Sequence, residues 1–94
     1  QMIINEEDFA VIYREVHESV ASSLKNEPIL MRPSRVEEIL DIKASTRKRL
    51  IDSGDLTALK TGDTVQSAMR ITKDSVIDTI TRWQAESEYK EATK

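Results

Sequence analysis

Residues 45–56 read STRKRLIDSGDL, and this stretch decides how the chain folds. Leu50 and Ile51 define the buried direction of a helix. At about 100° per residue, Ser45, Arg49 and Asp52 project roughly opposite, with Thr46 and Lys48 on the flanks. Gly54 is free to take the left-handed conformation that closes a helix, so the spacing predicts a helix that starts at Lys43 or Ser45 and runs to Ser53. Three consecutive bases, Arg47, Lys48 and Arg49, stand on it, in a chain of 94 residues whose formal charge is −3. A local excess of positive charge in an acidic chain calls for a physical cause.

Charge is segregated along the chain. Residues 1–28 hold six acids against two bases, residues 32–60 hold seven bases against five acids, and the remainder holds five bases against six acids. The net value therefore says little about partners. With 38% hydrophobic and 33% charged residues, the length suits one small domain with a helical extension. Cysteine is absent, which excludes disulfides and thiolate zinc sites and fits a reducing compartment. No apolar run approaches the roughly 18 residues that span a bilayer, and the amino terminus lacks the basic-then-apolar order of a signal peptide. The expectation is a cytoplasmic protein with no membrane partner.

Working outward from the basic helix, Ser34 and Glu37 form a capping-box pattern, so a short helix is predicted to start at Ser34 and bury Val36, Ile39 and Leu40. Asp41 to Ala44 break it from the next helix. Ile29, Leu30 and Met31 make a short apolar run with strand character. After Gly54, the segments around Leu59 and around Met69 and Ile71 read as a β-hairpin with a fairly long tip. Thr72 caps a last helix in which Val76, Ile77, Ile80 and Trp83 recur at helical spacing, placing Trp83 in the core. Asp74 and Asp78 suit the positive end of that helix. Beyond Glu86 the apolar pattern fades, and residues 87–94 are expected to fray. Upstream, Phe9, Ile12, Tyr13, Val16, Val20 and Leu24 form one stripe of a helix from about Glu6 to Leu24, with Asn5 as its N-cap. That stripe packs either on its own domain or against a second copy. His17, the only histidine, borders it with no triad or metal set around it.

Two short helices about a tight turn, followed by a hairpin, is the order of a winged helix-turn-helix. The stretch EEILDIKASTRKRLIDSGDLTALKTG, with MRITKDSVIDTITRW after it, resembles the excisionase and MerR-like winged-helix family. Leu40, Ile42, Ser45, Thr46, Arg49, Leu50, Ile51, Ser53, Gly54, Asp55, Leu56, Ala58, Lys60, Gly62, Arg70, Ile71 and Trp83 carry the resemblance, over roughly residues 29–84. It implies a mainly α fold with a small β-hairpin, here with an extra amino-terminal amphipathic helix. The expected divisions are that helix (1–28), the winged domain (29–86) and the tail (87–94).

The resemblance also implies a sequence-specific partner, double-stranded DNA, bound in transcription, excision or DNA transfer of bacterial, phage or plasmid type. Helix 45–53 would enter the major groove through Ser45, Thr46, Lys48 and Arg49, since arginine pairs with guanine and lysine supplies phosphate charge. Lys60 and Arg70 would brace the hairpin on flanking phosphates, with Arg35, Lys43 and Arg32 as further phosphate contacts. Three positions depart from the family. Arg47 stands where an aliphatic residue is usual, and snorkels, pairs with Glu37 or Glu38, or reaches a partner subunit. Asp52 opposes phosphate, and the tip from Asp63 to Ser67 lacks arginines. One module is small, so a homodimer or several copies on repeated half-sites is expected. No phosphate-binding glycine loop, zinc-protease motif or nucleophile elbow is present, so neither catalysis nor a cofactor or metal is expected. The competing expectation is a non-catalytic adaptor whose acidic first helix docks a polymerase, recombinase or relaxase.

Overall fold

The computed structural model describes residues 6–62 and 68–92. Its elements follow in the order α1 (Glu6–Ser23), β1 (Leu30–Met31), α2 (Pro33–Leu40), α3 (Ala44–Asp52), β2 (Ala58–Thr61), β3 (Ala68–Thr72) and α4 (Lys73–Ala92). The fold is mainly helical with a small three-stranded antiparallel sheet in the order β1-β3-β2. The Asn5 cap and the hairpin tip from Asp63 to Ser67 lie outside the described residues.

The chain divides into two compact units, one made of Gln1–Asn26 with Ile77–Lys94 and the other of Glu27–Val76. The division groups most of α4 with the first helix, whereas the sequence predicts residues 29–86 as one domain. Charge follows this division. Glu27–Val76 holds nine Lys and Arg against eight Asp and Glu, or +1. The other unit holds five against nine, or −4, and the two restore the total of −3.

In the Glu27–Val76 unit, Pro33 opens α2, one residue before the expected start. Proline's locked φ and missing N–H suit the first helical position. Arg32 is the N-cap with no side-chain cap bond, so the Ser34–Glu37 capping box does not form. The Glu37 carboxylate accepts from Arg47 instead. The helix ends where Asp41 takes the left-handed conformation (φ 54°, ψ 54°). The Asp41 N–H donates to the Glu38 carbonyl and the Ile42 N–H to that of Glu37, which satisfies carbonyls a helix end leaves open. A tight turn then leads into α3.

The sheet packs one face inward. Ala58 pairs with Ile71, Leu59 with Arg70, Lys60 with Met69 and Thr61 with Ala68, while Leu30 pairs with Thr72 and Met31 with Ile71. Side chains alternate along a strand, so Met31, Ile71, Ala58, Met69 and Lys60 share one face and Leu30, Thr72, Arg70 and Leu59 share the other. Met31 and Ile71 are fully buried, as are Val36, Leu56 and Val76. Thr72 caps α4 as expected, its Oγ1 accepting the Ser75 N–H at 3.3 Å. The Ser75 hydroxyl in turn accepts the Thr57 N–H at 3.1 Å, tying the helix start to the entry of β2.

In the other unit, α1 uses its stripe within the chain: Val16, Val20 and Leu24 are buried. Phe9 meets Tyr89 edge to face at 5.2 Å, and His17 Nε2 lies 3.6 Å from Asp78. These two contacts run the helices antiparallel. They also explain two corrections. Helix α4 does not fray after Glu86 but continues to Ala92, because Tyr89 has an aromatic partner on α1. Trp83 is not core but 40% exposed. Ala85, some 160° around the helix from Trp83 at about 100° per residue, takes the fully buried position instead.

Candidate nucleic-acid interface

Helix α3 is held by few contacts. Lys43 is its N-cap without a side-chain bond, and Ser53 its C-cap. Gly54 at φ 88° supplies the expected left-handed stop, donating its N–H to the Ile51 carbonyl. On the inner side Leu50 is buried, and Ile51 and Thr46 are half-buried. Ser53 and Asp55 fold the exit back on itself through a hydroxyl–carboxylate bond of 2.8 Å.

The three consecutive bases separate by burial. Arg47 is only 7% exposed and donates from Nε to Glu37 Oε2 at 2.6 Å. Of the three fates open to it, pairing with Glu37 is the one observed. Lys48 and Arg49 are exposed, and neither makes an ion pair among the described residues. Ser45 is exposed beside them. Ala44, Ser45, Lys48, Arg49 and Asp52 therefore form the outer face. Thr46 faces partly inward, because the buried direction is centred between Leu50 and Arg47 and not between Leu50 and Ile51.

The remaining candidates sit in the same unit but are not equivalent. Lys43, at the N-cap of α3, and Arg32, at the N-cap of α2, are exposed. Lys60 is exposed and Arg70 half-buried, and strand alternation puts them on opposite faces of the hairpin. A duplex lying along one face meets only one of them directly. Arg70 also turns Nη1 onto its neighbour's carbonyl, that of Met69, at 3.0 Å. Arg35 is engaged by acids: Nε and Nη2 donate to the two Glu27 carboxylate oxygens at 3.1 and 2.7 Å, and Glu38 stands 3.6 Å away. The paired hydrogen bonds hold the Glu27 carboxyl below the usual glutamate range and raise the Arg35 guanidinium further. Arg35 is thus a brace between the start of this unit and α2, with its charge compensated.

Asp52 lies on the same outer face as Lys48, one helical turn on, and reduces its positive field. His17 and Asp78, with Tyr13, Arg14 and Glu18, line an open groove in the other unit, and Tyr13 stacks on His17. Among the described residues no cluster of three or more metal-ligating side chains occurs, and no helix is long and apolar enough to cross a membrane. Compared with protein-family models, curated proteins and solved structures, the chain matches none.

Proposed function

We propose that Glu27–Val76 is a winged helix-turn-helix module that binds double-stranded DNA, with α3 in the major groove and the β2–β3 hairpin against flanking backbone. One observation carries the reading: Lys48 and Arg49 stand exposed and without a carboxylate partner among the described residues, while Arg47 beside them is consumed by Glu37. A face made only for solvation has no need to sort neighbouring cations this way. Arg49 is the candidate for bidentate contact with a guanine edge, and Lys48, Lys43 and Lys60 for phosphate. Ser45 is a further contact; Thr46, Arg70 and Arg35 fall to minor or structural parts. The action is regulatory or architectural, of the kind the excisionase and MerR-like resemblance implies. Two or more copies on repeated half-sites strengthen a module this small. Val16, Val20 and Leu24 of the α1 stripe are already buried within their own chain, so a second copy engages a surface other than these.

A second reading has its own support. Asp52 on the outer face and the −4 charge of the α1-containing unit favour an adaptor that docks a basic partner protein. The two separate on a duplex enriched from a randomised pool by the wild-type chain. Under the DNA-binding reading, Arg49→Ala weakens that complex by about 1–3 kcal/mol. Failure of the wild-type chain to enrich any duplex refutes it and leaves the adaptor.

A further inference from the structure

We propose that Glu37 and Arg47 form a positioning clasp that sets the pose of α3 on α2, and so the aim of Arg49, without either residue touching the duplex. The proposal rests on the DNA-binding reading for its consequence but not for its geometry. Helix α3 has nine residues, too few to be stable alone. Its only buried apolar side chain is Leu50. One leucine gives adhesion but little direction, because hydrophobic burial is non-directional. The 2.6 Å bond from Arg47 Nε to Glu37 Oε2, with Arg47 buried and the Glu37 side chain 25% exposed, supplies direction.

Glu37 is fixed at both ends. Its carbonyl accepts the Ile42 N–H and its carboxylate accepts Arg47. The Arg47 N–H donates to the Lys43 carbonyl at 3.0 Å. The end of α2, the turn through Asp41 and the first turn of α3 are therefore closed into a ring by three hydrogen bonds, and Lys48 and Arg49 leave the chain immediately after it. A buried ion pair contributes little net stability once desolvation is counted, so its worth here is orientation.

Charge and orientation predict different outcomes for Glu37→Gln. Removing an acid from a DNA-binding surface strengthens binding to every duplex if only charge matters. If the clasp aims Arg49, the same change lowers the preference for the enriched duplex over random duplex by about tenfold or more, the size of one lost base contact. Thermal melting confirms the fold of the variant. If Glu37→Gln does not fold, the double variant Glu37→Leu with Arg47→Met fills the same space with apolar side chains, a replacement buried ion pairs tolerate. Loss of preference in that folded double variant supports the clasp, and full preference overturns it.

Amide exchange supplies an arm independent of DNA. The double variant Glu37→Leu with Arg47→Met, which removes both donor and acceptor, should speed exchange at Leu50 and Ile51 about tenfold while Met69 and Ile71 in β3 are unchanged. Unchanged α3 amides overturn the clasp even if no duplex is ever enriched. A wild-type chain that enriches nothing, with faster α3 exchange in the variant, sinks the DNA reading alone.

Discussion

Replacing Lys48 by alanine tests the outer face of α3 quantitatively. Three bases of the Glu27–Val76 unit are proposed for phosphate contact and have no carboxylate partner among the described residues: Lys43, Lys48 and Lys60. Each phosphate neutralised by a base contributes about −0.9 to the slope of log affinity against log salt, so three contacts give about −2.7. Between about 50 and 200 mM salt that slope costs about fortyfold in affinity, and with Lys48→Ala the slope falls to about −1.8 and the loss to about twelvefold. Fluorescence anisotropy of a labelled duplex, titrated at five or six salt concentrations, resolves that change. Arg47→Met is the internal comparison: its charge is buried and compensated, so the slope should stay at the wild-type value even if affinity drops. A wild-type slope shallower than about −1, or a larger slope change for Arg47→Met than for Lys48→Ala, refutes the assignment of Lys48 to the duplex-facing side.

Four further outcomes follow from the same geometry. Arg35→Ala should leave the salt slope unchanged, because its guanidinium already serves Glu27 and Glu38; a slope reduced by about 0.9 would return Arg35 to the phosphate contacts. Thr81 is fully buried and its hydroxyl has no hydrogen-bond partner among the described residues. Thr81→Val should therefore raise stability by about 1 kcal/mol in urea unfolding, since an unsatisfied buried hydroxyl costs about that much; a destabilised variant contradicts this. Gly54→Ala meets no neighbouring atom but must hold φ 88°, so a loss of roughly 1–2 kcal/mol is expected from backbone strain alone. Glu27 has a folded-state pKa below its usual value, so its pairing with Arg35 stabilises the fold above the ordinary glutamate range and loses that effect as pH falls through the lowered value. The melting difference between wild type and Glu27→Gln should be constant above about pH 5 and shrink on further acidification; a difference that grows on acidification reverses the sign and refutes the pairing.

Much of the candidate site was legible because its determinants are local. Gly54 ended α3, Thr72 capped α4, and the 3.6-residue spacing put Lys48 and Arg49 outside, all within one or two helical turns. Other readings failed where a distant group intervened. The Ser34–Glu37 capping box was locally sound, yet Pro33 started the helix and Arg47 claimed the Glu37 carboxylate. Trp83 fitted the apolar spacing of α4, but Ala85 took the buried place. Arg35 looked like a free cation until Glu27, eight residues earlier, folded onto it. Lys60 and Arg70 looked like a pair of wing contacts until the strand register put them on opposite faces.

Sequence by itself determined the helices, the glycine stop of α3, the threonine cap of α4, the hairpin and the segregation of charge, since propensity, capping and periodicity act over a few residues and need no tertiary partner. Only the tertiary structure decided what becomes of the base that the helical spacing turns inward. Arg47 could reach the rim, an acid of α2 or a second copy, and the one realised is the Glu37 carboxylate ten residues away, brought within hydrogen-bond reach by the turn at Asp41. That choice depends on how α3 packs on α2, and packing is a property of the folded chain.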